Sequence, residues 1–126
     1  MAKDDYSVIV LKILGYLYRC LKQAELPTNE TLSPYSVLFR INGKAINEPY
    51  WNEILYMISQ EGLVEGLNFT GTWGPSRICI SDMEDCRITP KGIYYLEENS
   101  SMRKAWEVLK ESKDIMAAML SKVLPF

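Results

Sequence analysis

Arg40, Lys44 and Arg77 bracket a segment whose polar side carries Asn52, Tyr56 and Gln60. These residue types suit nucleic acid. The amides of Asn52 and Gln60 can offer a donor and an acceptor together to a base edge, Tyr56 adds a ring and a hydroxyl, and the three cations can neutralise phosphates on either side. Trp73, set among glycines and a proline in Gly71-Thr72-Trp73-Gly74-Pro75, places an indole at a turn tip. There it either inserts at a groove or stacks on a partner, or it folds back on its own hairpin, the commoner fate of a bare indole. Against DNA stand Glu48, Glu53 and Glu61 on or beside the same segment, because carboxylates repel phosphate. The formal charge of −2 on 126 residues points the same way, since domains that live on nucleic acid usually carry a basic excess.

Other chemistries have less material. The chain has no histidine, and it shows no glycine-rich phosphate loop and no nucleophile motif, so no catalytic residue and no cofactor are expected. Cys20, Cys79 and Cys86 are odd in number and lack CxxC spacing; without histidine a zinc site would have to recruit carboxylates or a second chain, so no metal is expected either. Cys79 and Cys86 could flank a redox switch, but only Arg87 adjoins them, and reduced structural thiols are the plainer reading. No run of eighteen apolar residues occurs, and Met1-Ala2-Lys3-Asp4-Asp5 has acids where a secretory signal is basic, which predicts a cytoplasmic protein away from membranes.

The elements that must position these residues follow from periodicity and punctuation. Apolar residues from Tyr6 to Leu21 recur at spacings of three and four, so residues 5–23 form a first helix with Asp4 or Asp5 as cap. Val8, Leu11 and Tyr18 widen its stripe, as in a central helix touched on several sides, and Gly15 in its interior implies close packing, since a helical glycine costs about 1 kcal/mol against alanine. Lys12, Arg19 and Lys22 share one side and read as solvated. Pro27, Pro34, Asn42 and Gly43 leave room for a short helix over 33–39 and a turn at Ile41-Asn42-Gly43-Lys44, where Asn42-Gly43 could equally close a small hairpin. Asn47 and Pro49 start a clearer helix with Trp51, Ile54, Leu55 and Ile58 on one face, stopped by Gly62. Alternating residues at 63–69 and 78–80 make a hairpin whose second strand breaks at the polar stretch 81–85. Thr89-Pro90-Lys91-Gly92 then caps a further helix bearing Ile93 and Leu96.

Helix, strand, turn, strand, helix is the order of a winged helix, an α+β fold. It assigns residues 1–100 to a winged-helix domain with 48–61 as recognition helix. Residues 101–126 become a long C-terminal helical extension, in which Met102, Ala105, Trp106, Leu109, Met116, Met119, Leu120 and Val123 trace one apolar stripe. At about 1.5 Å per residue such a helix spans roughly 35 Å, more than a small domain covers. Trp106, Leu109, Met116, Met119 and Leu120 are therefore expected to meet a second copy in a homodimer or to fold back on the first helix. Glu107, Glu111 and Asp114 interleave with Lys110 and Lys113 as surface ion pairs.

The run Ile-Thr-Pro-Lys-Gly-Ile-Tyr-Tyr-Leu-Glu-Glu-Asn at 88–99, followed by Ser-Ser-Met-Arg-Lys-Ala-Trp-Glu-Val-Leu-Lys-Glu-Ser-Lys-Asp at 100–114, resembles the YjcQ family of small winged-helix proteins from Gram-positive bacteria and their phages. The likeness continues more loosely through 48–66, while 27–47 is longer than the family's usual connection. It implies a winged helix of phage association and supplies no functional residues. Two functions are thus expected: a DNA-binding or transcription-regulating protein, with double-stranded DNA as partner, or a protein-interaction module that keeps the fold without binding nucleic acid.

Overall fold

The computed structural model describes residues 2–71 and 77–126. Helix α1 (Tyr6–Gln23) is buried at every position from 8 to 17, and the other helices and the last strand pack on it. Its broad apolar stripe has this physical meaning: a helix covered on several sides needs apolar residues beyond a single face. Asp5 precedes it as expected, but its carboxylate accepts from the Ala2 backbone N–H at 2.8 Å instead of capping the helix.

After α1 the chain runs through turns over residues 24–47. No helix forms at 33–39, contrary to expectation. Pro34 has no N–H to give, and the Ser33 and Ser36 hydroxyls take the Tyr35 and Leu38 N–H groups at 3.1 and 3.2 Å, offering the backbone a local alternative to helical bonds. Leu32 and Phe39 anchor the segment in the core. Ile41 and Lys44 then exchange both backbone hydrogen bonds, at 2.9 and 3.0 Å, around Asn42 and Gly43 at φ of 52° and 78°. Positive φ at both central residues is the mark of a tight I′ turn, so the small hairpin is formed.

Helix α2 (Glu48–Gln60) starts where Asn47 Oδ1 accepts the Tyr50 N–H at 3.2 Å. It ends at Gly62, whose φ of 75° lets the Leu63 N–H return to the Ile58 carbonyl at 2.9 Å. Strands β1 (Val64–Glu65), β2 (Phe69–Thr70), β3 (Ile78–Cys79) and β4 (Arg87–Ile88) pair antiparallel, β1 with β4 and β2 with β3, with Val64 opposite Ile88 and Phe69 opposite Cys79. The ladder is interrupted by a 3₁₀ turn at Met83–Asp85, the polar stretch expected to break it. Gly66 passes so close that a Cβ there would lie 1.8 Å from the Asp85 carbonyl oxygen.

Helix α3 (Pro90–Glu98) begins at Thr89, whose hydroxyl oxygen accepts the Gly92 N–H at 3.0 Å while its O–H donates to the Gly62 carbonyl. One cap thus ties the start of α3 to the end of α2. Gly92 allows the approach, since a Cβ would fall 2.2 Å from the Leu63 carbonyl oxygen.

The C-terminal region departs from expectation. Instead of one long helix there are two, α4 (Ser100–Glu111) and α5 (Ile115–Leu120), and the chain turns between them. Ser112 Oγ donates back to the Leu109 carbonyl at 2.6 Å, and Asp114 Oδ1 accepts the Met116 N–H at 2.9 Å, so one side chain helps end a helix and the next starts another. Both helices pack on α1. Trp106, Leu109, Met116 and Leu120, expected to meet a second copy or to fold back on the first helix, lie buried in the core of their own chain, and Met119 is half-buried. Of the two alternatives, the stripe takes the fold back onto α1.

Lys12 corrects a second expectation. It is wholly buried, and its Nζ donates to Asp114 Oδ2 at 2.8 Å with the Phe39 ring centroid 6.0 Å away. Burial lowers its pKa, partly countered by the hydrogen bond and charge of Asp114. Lys22 is likewise engaged: its Nζ sits 4.4 Å from the Tyr18 ring centroid and donates to the Val123 carbonyl at 3.3 Å. Lys110 with Glu107, at 2.9 Å, is a surface pair of the kind expected, and Arg19, read as solvated, pairs with Glu25 at 3.4 Å.

Gly15 explains how α5 comes so near: a Cβ on it would stand 2.8 Å from Leu120 Cδ2. Gly15→Val is expected to lower unfolding stability by about 1–3 kcal/mol in urea titration, the usual cost of overpacking. Adding Leu120→Ala to it should recover part of that loss, in contrast to the further loss expected if the two sites were independent.

Candidate functional site

Helix α2 divides into faces by its own periodicity. Trp51, Ile54, Leu55 and Ile58 are buried, Tyr50, Met57 and Gln60 are exposed, and Asn52, Glu53, Tyr56 and Ser59 lie between. The intermediate side faces β3. Tyr56 meets Phe69 of β2 edge-on with ring centroids 5.4 Å apart, so its ring is a packing surface as much as a polar one.

Arg77, just before β3, lies over that ring. Its guanidinium carbon is 3.7 Å from the Tyr56 ring centroid, and its Nη1 donates to Glu53 Oε1 at 2.8 Å. A guanidinium stacked on an aromatic face and paired with a carboxylate is held on both its plane and its edge. The sequence places Arg77 on the hairpin as a phosphate anchor; the structure uses it to fasten the hairpin to α2.

Arg40 and Lys44 are exposed and stand apart from this arrangement. Lys44 borders a surface hollow with Tyr50 and the N-terminal residues Ala2 to Asp4, whereas Arg40 borders a different cleft beside the α4–α5 linker. Arg40 Nε donates to the Tyr35 carbonyl at 3.1 Å. Asn52 lines a shallow groove between α2 and Ile80 and Ser81, closed at one end by a Tyr35 hydroxyl that donates to Glu48 Oε2 at 2.5 Å. Gln60 is exposed at the end of α2, beside Glu61. The structure therefore unites Tyr56 with Arg77, and it does not join Arg40, Lys44 and Arg77 into one cationic stripe. Trp73 lies outside the described residues.

The three cysteine thiols are all shifted away from activation. Cys86 is buried and desolvation pushes its thiol up to about 12, with the neighbouring Cys79 adding to the shift and Arg87 opposing it. Cys20 and Cys79 are raised as well, chiefly by burial. Thiols displaced in this direction are poorer nucleophiles at neutral pH. Among the described residues no cluster of histidine, cysteine or acidic side chains is placed to hold a metal ion, and no helix is long and apolar enough to cross a membrane.

Sequence reasoning missed Lys12 and Asp114, and it treated Lys113 as a solvated charge. The one local signal was Asp114 preceding the apolar Ile115 and Met116, the pattern of an N-cap, which competes with its reading as a partner for surface lysines.

The family model described as YjcQ protein matches residues 11–115, from within α1 to the first residue of α5. The chain belongs to that family. No curated protein matches it, and no solved structure does.

Arg77→Ala is expected to cost about 1 kcal/mol of unfolding stability, through loss of the ring stack and the partly exposed ion pair. Arg40→Ala and Lys44→Ala should each stay within about 0.5 kcal/mol, as exposed side chains usually do. Chemical denaturation of the three variants side by side reads the difference.

Proposed function

We propose that this YjcQ-family chain is a non-enzymatic interaction module on a winged-helix plan, with α2 in the place of the recognition helix, the β2–β3 hairpin in the place of the wing, and a protein as its partner. The observation that carries this reading is the engagement of Arg77 by Glu53 and Tyr56. A wing cation already neutralised by its own recognition helix must break an ion pair before it can reach a phosphate, and the carboxylates of Glu48 and Glu61 remain at the two ends of that helix. Exposed Tyr50 and Met57 give the helix a partly apolar outer face, of a kind that proteins recognise more readily than a phosphate backbone does.

A second reading is a DNA-binding transcription regulator, favoured by the helix-then-hairpin order and by the exposed cations Arg40 and Lys44, which are in no ion pair among the described residues. The two readings part in a titration against pooled duplexes at low and at physiological salt. The protein-partner reading predicts no complex at micromolar concentration with the folded chain. Contact of Arg40, Lys44 and Arg77 with phosphates would instead give a slope of about −3 in log affinity against log salt, at about 0.9 per contact. Such a slope, made shallower by Lys44→Ala and Arg77→Ala, would overturn the protein-partner reading.

A further inference from the structure

The break between α4 and α5 does more than shorten a helix. It turns residues 111–115 toward the Asn42-Gly43 turn, and between the two lies a cleft of about 640 Å³. Val37 and Ile115 line it, 58 % and 57 % exposed. Both are among the most exposed aliphatic side chains of the described residues, and both line the same concavity.

Charge around the cleft runs against that of the chain. Lys3, Arg40 and Lys113 border it, all exposed and none in an ion pair among the described residues. Lys3 Nζ rests on Asn42 Oδ1 at 3.4 Å, and Arg40 is steadied by its Nε bond to the Tyr35 carbonyl, which leaves its terminal N–H groups without partners among the described residues. Asp114 on the same lining is already committed, to Lys12 through one oxygen and to the Met116 N–H through the other. Glu111 is the remaining carboxylate, so positive charge predominates locally on a chain of net charge −2.

We propose that this cleft docks an acidic segment of a partner protein, with one aliphatic side chain against Val37 and Ile115 and flanking carboxylates on Lys3, Arg40 and Lys113. The proposal rests on the protein-partner reading and goes beyond it by naming a surface besides the outer face of α2 and the chemistry of the segment it takes. Charge complementarity selects an anion. The two exposed aliphatic side chains select a peptide over a nucleic acid, because a phosphate backbone would satisfy the cations and leave Val37 and Ile115 in water. Guanidinium and ammonium groups around an apolar centre reproduce the usual anatomy of a protein interface, an apolar core within a polar rim.

The test is fluorescence anisotropy of the intact chain with a pool of labelled acidic heptapeptides, each carrying a central Leu, Ile or Val flanked by Asp and Glu. A second pool has the same charges and Ser at the centre. The proposal expects saturable binding of the first pool and about tenfold weaker binding of the second. It also expects about tenfold loss with Arg40→Glu combined with Lys113→Glu and with Ile115→Ser, and no change with Lys91→Gln on the exposed side of α3, each variant being checked for folding by circular dichroism. Equal binding of the two pools, or binding that survives the cleft substitutions, would overturn the assignment. Absence of binding at millimolar peptide would also overturn it, and the duplex titration would then decide separately whether the protein-partner reading stands. Displacement of bound peptide by duplex DNA, with the cleft substitutions abolishing DNA binding itself, would overturn both.

Discussion

A lysine with no solvent-exposed surface, at the middle of the central helix, is the constraint around which this chain is organised. An unpaired ammonium in that position would cost several kcal/mol in lost hydration, so Lys12 must bring a counter-charge with it or lose its proton. Asp114 supplies the charge from 102 residues away, at 2.8 Å. The same carboxylate opens α5. Asp114 thus ties the point where the C-terminal stripe resumes to the buried lysine, while Ser112 helps end the helix before it. Leu120 is then laid against Gly15, and Trp106 and Leu109 are buried in the same core, so the buried pair and the apolar packing depend on one turn of the chain.

The opposite side of α1 is built differently. There, close backbone approach does what a charge pair does at the C-terminal end. Thr89 bonds the end of α2 to the start of α3, Gly92 lets that start approach Leu63, and Gly66 lets the hairpin cross the 3₁₀ turn. With the hairpin base so held, Arg77 fastens its outer part to α2 through Tyr56 and Glu53. Arg77, the hairpin cation next to α2, is thus engaged by Glu53 and Tyr56 of the protein itself. Around the α4–α5 linker stand Lys3, Arg40 and Lys113, none in an ion pair among the described residues, and that distribution supports the proposal of a protein partner.

Much of this was legible in the sequence where the cause is local. The caps at Asn47 and Thr89, the stop at Gly62, the break at 83–85 and the need for close packing at Gly15 each depend on a residue's own backbone chemistry or that of its near neighbours. The illegible features depend on distant partners. Lys12 shares a helix side with Arg19 and Lys22, and nothing near it announces that α5 will cover it. Arg77 reads as a free cation until Glu53, 24 residues earlier, is brought beside it. Residues 33–39 failed for a third reason: the prolines and Asn42-Gly43 left room for a short helix, but Ser33 and Ser36 supply competing hydrogen bonds and Pro34 removes a donor. The site suffered most, because every one of its candidate cations is defined by what lies across from it.

The measurement that tests the central claim most directly is a double-mutant cycle between Lys12→Met and Asp114→Asn, read by urea unfolding. Methionine keeps the bulk of the lysine stem, and asparagine keeps an oxygen for the Met116 N–H, so the cycle isolates the ion pair from the helix cap. If Lys12 and Asp114 hold the C-terminal helices on α1, each single change costs about 3–5 kcal/mol and the coupling between them exceeds about 1.5 kcal/mol, with the double variant more stable than either loss alone would allow. Additive losses, with a coupling near zero, would contradict the account and mean that the C-terminal helices are held by apolar packing without the pair.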